Sequence, residues 1–254
     1  KGQCVQVIPH IPNEVRERIA RAVEKTGAEI MIIEIGGTVG EYENLLFLEA
    51  ARYMHLDHPD NVLFVMVTYL PIPSKLGEMK TKPTQHAVRA LNSAGIQPDF
   101  IIARAEVPLD EPRRKKIAVH CNVTSADVIN APDIETIYDV PLNFEKDGLG
   151  DRILHKFNLE PRATNLDDWR AMVERVKDGE KTVKVGIVGK YFASGDFSLS
   201  DSYISVIEAI KHAAAANHCR VQLTWLSAEE LETKGVEHLK AFDGLIIPQG
   251  WGSR

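Results

Sequence analysis

The chain has 254 residues, a formal net charge of −6, and 44% hydrophobic and 26% charged content. That suits one large or two moderate soluble domains and excludes both a disordered and a membrane-spanning chain, since no window approaches the roughly 18 uninterrupted apolar residues a membrane helix needs. The acidic balance argues against a general nucleic-acid binder, and Cys4, Cys121 and Cys219, odd in number and far apart, suggest neither a disulfide framework nor a zinc site and fit a reducing cytosol.

In chain order, the first residues carry neither a leader-like segment nor an initiator methionine, and "VQVI" at 5–8 reads as a strand. Helix and strand patterns then alternate: "EVRERIARAVEKTG" (14–27, helix), "EIMIIEI" (29–35, strand), "ENLLFLEAARYM" (43–54, helix) and "NVLFVMVTYL" (61–70, strand). Next come "TQHAVRALNSAG" (helix), "FIIARAEV" (100–107, strand), "EPRRKKIAVHC" (111–121, helix) and "ADVINA" (126–131, strand). Strands apolar on successive residues are those covered on both faces, which predicts an α/β fold with a doubly wound parallel sheet. Residues 159–182 are polar, highly charged and without a strand-like run, so they read as a linker with one solvated helix. After them "VKVGIVGKY", "SYISVIEAIKHAAAANH", "CRVQLTWL" and "GLIIPQGWG" open a second α/β unit. The expected domains are 1–158, the linker 159–182 and an unfinished unit at 183–254, with both termini expected to be truncated.

Ligands of parallel sheets collect beyond the carboxyl ends of strands, so chemistry is sought just after each apolar run. In "IIEIGGTVGEYEN", Glu34 is expected at a strand end among isoleucines, where its carboxylate meets either a cation or a lysine. A hard cation such as Mg²⁺ takes one or two carboxylates plus substrate phosphates. Glu41 and Glu43 either face one way in extended chain or are acids favoured at a helix start. In "GEMKTKPTQH", Lys82 precedes a proline and is expected to be extended, so that Lys80 and Lys82 project to one side as a cationic clamp. Pro83 suits a first helical turn, whose free N–H groups then face the same way. Lysine is a poor cap for such an end, so the pattern points to a bound anion, with a solvated basic turn as the alternative. In "EPRRKKIAVHC", most of the cations read as a solvated face, and Lys116, next to the apolar "IAV", is the one expected to reach a phosphate. Gly250 and Gly252 in "PQGWG" offer backbone N–H groups to an oxyanion, a common turn otherwise. His10, bracketed by prolines, reads as structural or functional.

Together "QVIPHIPNEV", "EIGGTVGEYEN", "GEMKTKPTQHAVRAL", "GIQPDFIIAR", "KIAVHCNV", "IYDVP", "VGIVGKY" and "SYISVIEAIKHA" resemble the CTP synthase family, over nearly the whole chain. The resemblance implies a P-loop-NTPase-like amidoligase (synthetase) domain, of which this chain holds the later part, followed by the start of a class I glutamine amidotransferase domain. It implies ATP-dependent amination of UTP to CTP with ammonia from glutamine, in a cytoplasmic homotetramer that can form filaments, with Mg²⁺ and ATP as cofactors, CTP as feedback inhibitor and GTP as activator, and neither nucleic acid nor membrane as partner. By the same resemblance Glu34 binds Mg²⁺, and Lys80, Thr81, Lys82, Pro83, Thr84, Gln85 and Lys116 hold UTP. Glu41, Tyr42 and Glu43, with Lys80, Lys82, Gln85 and Lys116, bind CTP; Pro132, Asp133 and Ile134 contact the adenine of ATP, Gly250 lies in the glutamine region, and His10 lies near the nucleotide chemistry. The competing reading is a non-catalytic regulatory or filament-forming nucleotide binder.

Departures from the family pattern fall at Glu41-Tyr42-Glu43-Asn44, in place of Asp-Ile-Glu-Ser, and at Gln249-Gly250-Trp251-Gly252, in place of Gly-Gly-Phe-Gly. The P-loop, second metal carboxylate, cysteine nucleophile and His-Glu pair that the family uses do not occur in these residues, so this span alone is expected not to complete the reaction.

Overall fold

The computed structural model describes residues 2, 4–162, 165–190, 193–194, 197–198 and 202–250. Two compact units are formed, one up to Thr164 and one from Asn165. Both are α/β with parallel three-stranded sheets.

The first unit runs α1 (Val7–Thr26), α2 (Leu45–Asp57), β1 (Val65–Tyr69), α3 (Lys82–Ser93), β2 (Phe100–Ala105), α4 (Glu111–Cys121), β3 (Val128–Pro132), α5 (Val140–Lys146) and α6 (Leu149–Lys156). The sheet order is β1-β2-β3, with Val65 opposite Phe100 and Ile101 opposite Val128. β2 sends side chains alternately to two cores. Ile101 and Ala103 join Val88, Leu91, Ile117 and Cys121 of α3 and α4, whereas Phe100 and Ile102 join Ile129, Phe144, Leu149 and Ile153 on the α5 and α6 side. Burying both faces is what makes this strand apolar at successive positions. β1 is covered on one face only: Met66 and Thr68 are buried, while Val65, Val67 and Tyr69 are exposed among the described residues.

Two expected strands do not form. Residues 5–8 run into α1, with a non-helical Ile8, and residues 29–35 take no regular structure. The apolar side chains of 29–35 are not buried on two faces: Ile32 is 92% exposed. A run of isoleucines becomes a strand only when a neighbour accepts its ladder bonds, and no strand among the described residues pairs with this run.

The second unit holds α7 (Asp167–Lys177), β4 (Lys181–Gly189), the two-residue strands β5 (Ala193–Ser194) and β6 (Phe197–Ser198), α8 (Ile204–Ala216), β7 (Cys219–Ser227), α9 (Ala228–Lys234) and β8 (Gly244–Ile246). The larger sheet has the order β7-β4-β8, so the chain passes from one side of β4 to the other. Its core gathers Ile187, Ile207 and Ile210 with Val185, Val221, Leu223, Trp225 and Ile246. Helix α7, read from sequence as solvated, packs against α8 and β7 and buries Val173.

Candidate functional site

All three strands of the first sheet end on one rim, and the starts of α3 and α4 stand beside it. There a cavity of about 730 Å³ is lined by Pro71, Glu78, Met79, Lys80, Thr81, Lys82, Pro83, Pro112, Arg113 and Lys116. Its construction is local. The Lys80 N–H donates to the Pro71 carbonyl at 2.9 Å, which pins the segment before α3 to the end of β1. Met79 is buried in the core, and Arg113 Nε donates to its carbonyl at 3.1 Å, so α4 is tied to the same segment. α4 itself starts at Asp110, whose side chain accepts from the Arg113 N–H at 2.9 Å.

Lys82 is not extended, as the following proline led us to expect. Thr81 has right-handed helical angles (φ −94°, ψ −12°) and Lys82 is the first residue of α3. Pro83 falls in the first turn, where its missing N–H costs no bond, and the helix takes Lys82 with it. The two lysines therefore reach the cavity from different backbone: Lys80 from the anchored approach and Lys82 from the helix start.

Of the residues expected to hold UTP, Lys80, Thr81, Lys82, Pro83 and Lys116 line this cavity; Thr84 and Gln85 do not. Thr84 is 1% exposed and its hydroxyl donates to Thr68 Oγ1 of β1 at 3.2 Å. Gln85 is also buried, and its Nε2 donates to Thr81 Oγ1 at 3.1 Å. Thr84 thus ties the start of α3 to the sheet, and Gln85 braces that start on its own cap residue. A residue the sequence reading passed over, Arg113, adds a cation to the cavity; it stands one helical turn before Lys116, a spacing that places both on one face of α4.

The cavity also carries its own anion. Glu78 Oε2 lies 2.5 Å from Lys80 Nζ, and Glu78 Oε1 lies 3.5 Å from Arg113 Nη2. The hydrogen bond from Lys80 and its charge, followed by the charges of Arg113 and Lys116, hold the Glu78 carboxyl below the usual carboxylate range.

The other expected residues lie elsewhere. Glu34 is exposed on the irregular 29–35 segment, not desolvated at a strand end as expected. Among the described residues no three His, Cys, Asp or Glu converge as metal ligands. A lone exposed carboxylate such as Glu34 would suit only a cation held chiefly by substrate phosphates. Glu41, Tyr42 and Glu43 form the exposed turn before α2 and are not among the cavity's lining residues. Glu41 Oε2 accepts from the Thr38 N–H at 3.1 Å, beside Gly37 at φ +83°. Asn44 braces the turn through its amide, which donates to the Thr38 carbonyl at 2.8 Å. His10 lies in α1 and its Nδ1 is 2.9 Å from the Gln6 nitrogen, closing the start of that helix.

Pro132, Asp133 and Ile134 stand at the end of β3, on the same rim as the cavity. The Asp133 N–H donates to the Ala105 carbonyl at 2.8 Å, and its carboxylate meets Arg104 of β2 at 3.4 Å. In the second unit, Gly250 lies beside Lys190 at the end of β4, where a Cβ on Gly250 would stand 3.3 Å from Lys190 Cδ. With β7 and β8 on opposite sides of β4, this is the switch point at which open parallel sheets bind ligands. Trp251 and Gly252, the rest of that turn, lie outside the described residues.

Residues 1–159 match the protein family described as CTP synthase N-terminus. Across all 254 residues the chain is 49% identical to a CTP synthase of Thermococcus gammatolerans and 49% identical to one of Pyrococcus furiosus, covering 46% of each. It is 46% identical over 255 positions to a CTP synthase of Gloeothece citriformis, of which it covers 45%. The chain thus spans less than half the length of these relatives, and the family match supports an N-terminal placement, coarser than the later part of the amidoligase domain expected from sequence. With that match over most of its length, and with the cation-lined rim built by the motif residues themselves, the chain belongs to the CTP synthase family.

Proposed function

We propose that the protein takes part in the ATP-dependent conversion of UTP to CTP, with ammonia drawn from glutamine, in the cytoplasm. In this reading residues 1–158 belong to a P-loop-NTPase-like amidoligase domain, 159–182 link it onward, and 183–254 open a class I glutaminase domain. The observation that carries it is the cavity between the starts of α3 and α4, where Lys80, Lys82, Arg113 and Lys116 meet two helix N-termini. Free backbone donors and clustered cations together suit a polyphosphate.

The UTP triphosphate lies against Lys80, Lys82 and Lys116, with Thr81 and Pro83 in the wall and Thr84 and Gln85 holding the wall in shape. ATP places its base at Pro132, Asp133 and Ile134, and transfers its terminal phosphoryl group to O4 of UTP; ammonia then adds at C4 and the phosphate leaves. Glu34 would be the protein ligand of Mg²⁺, which when bound would supply charge neutralisation at the phosphates. Product CTP inhibits by sharing the triphosphate contacts of Lys80, Lys82, Gln85 and Lys116 while its base lies at Glu41, Tyr42 and Glu43. Gly250 contributes to the glutamine site, GTP activates, and the assembly is a homotetramer able to form filaments.

Calorimetric titration of UTP into the protein with Mg-ATP tests this reading. Replacing Lys80→Ala removes one charge-assisted contact and is expected to weaken UTP binding by roughly 10- to 100-fold. Unchanged affinity would remove UTP from this cavity.

A further inference from the structure

Resting on the reading of the cavity as a polyphosphate site, we propose that Glu78 is its built-in counter-anion: the carboxylate occupies Lys80 and Arg113 while the site is empty and is expelled by the entering phosphates. Glu78 thereby sets how tightly the site holds its ligand.

The geometry separates a fixed part from a loose one. Lys80 is fixed at its main chain by the bond to Pro71, and Arg113 is held by the Met79 carbonyl and by an ion pair with Asp110. The Arg113 guanidinium and the Lys80 main chain therefore keep their places when Glu78 departs, and the Lys80 ammonium is left free to turn to the entering phosphates. Glu78 has no such anchorage: its side chain is 56% exposed, and its described ties are the ion pairs to Lys80 and Arg113 themselves. A half-exposed carboxylate loses little packing when it turns out to water, and its hydration there offsets part of the lost pairing.

The exchange also has a charge balance. Three cations of the cavity act on Glu78, which brings one negative charge to them. A phosphoryl group carries about −1.5 to −2 charges near neutral pH, and a triphosphate brings several such groups. Substitution of the carboxylate by the phosphates is thus favourable overall, yet it costs the interaction already made. Without Glu78 the cations would repel one another in the empty site, and the same ligand would be held more tightly and released more slowly.

Inorganic tripolyphosphate, which has no base to bind elsewhere, is the probe, titrated calorimetrically into the wild-type protein, Glu78→Gln, Glu78→Ala and Lys80→Ala. Melting curves identify variants that remain folded. The exchange predicts that Glu78→Gln and Glu78→Ala bind about tenfold more tightly than wild type, the scale expected for removing one competing charge, while Lys80→Ala binds more weakly. If Lys80→Ala weakens binding but neither Glu78 variant strengthens it, the counter-anion is overturned and the polyphosphate site stands. If wild type and Lys80→Ala bind the probe alike, or not at all, the cavity reading falls and the counter-anion with it.

Discussion

Residues 29–35 and strand β2 have nearly the same apolar content, and the fold uses them in opposite ways. In β2, Phe100, Ile101 and Ala103 are fully buried, with parallel partners on both sides and helices over both faces. In the other segment Ile30, Ile32 and Ile33 stand in the open, only Ile35 touches the core, and none takes a ladder. Apolarity marks a segment that gains by being covered, and the neighbours decide whether it is. The contrast bears on the site: the carboxyl end of the sheet, where the cavity forms, rests on β2, whereas Glu34 rides on the uncovered segment.

The largest test of this contrast is a pair of equivalent truncations. Ile101→Ala leaves a hole between α3, α4 and the sheet and is expected to cost about 2–5 kcal/mol in denaturant unfolding, whereas Ile32→Ala, on the exposed segment, is expected to change stability by no more than about 0.5 kcal/mol. Equal losses would mean that 29–35 is as tightly held as β2. The next test separates pairing from greasiness. Asp147 Oδ2 accepts from the Asn130 N–H of β3 at 2.7 Å, and Arg114 reaches the same carboxylate at 3.3 Å. Asp147→Ala strips the strand donor of this acceptor and leaves the guanidinium with the Val128 carbonyl, and is expected to cost about 1–3 kcal/mol by the same assay.

The smallest effect is a matter of access. Cys121 is buried in the α3–α4 core and burial pushes its thiol up to about 11, whereas Cys4 is exposed. Alkylation at pH 8 is expected to modify Cys4 in the folded protein and spare Cys121, followed by mass spectrometry of the peptides; rapid labelling of both would show that this core opens. The sign is that of an acid held neutral by folding: the linked stability is complete below the ordinary thiol pKa and is lost as pH rises from there toward 11.

What was legible in the sequence was local or doubly signalled. Helix α4 runs from Glu111 to Cys121 as read, because Asp110 and Pro112 mark its start and Asn122, in a left-handed conformation, marks its end. β2 was legible because its burial on both faces leaves an uninterrupted apolar run. Helices α5 and α6 were not assigned: each is short and they are separated by Gly148, so neither shows enough turns for a period to emerge. At the site, Lys80 and Lys82 were found from charge at a helix start and Lys116 from its place beside the apolar "IAV", but Arg113 was submerged in a run of cations that reads as solvated. Its distinction is a carbonyl 34 residues away in sequence, at Met79, which spacing does not reveal. Glu78 was overlooked because an acid beside lysines looks like ordinary surface pairing.

The unbroken parallel order of β1, β2 and β3 has one more result. Adjacent strands lie about 4.8 Å apart, so their ends form a graduated scale along the rim. Groups anchored at the β1 end, near Lys80, and at the β3 end, near Asp133, are set two graduations from each other by main-chain bonding alone. Side-chain substitutions can change what each mark holds, but the interval between the marks belongs to the ladder.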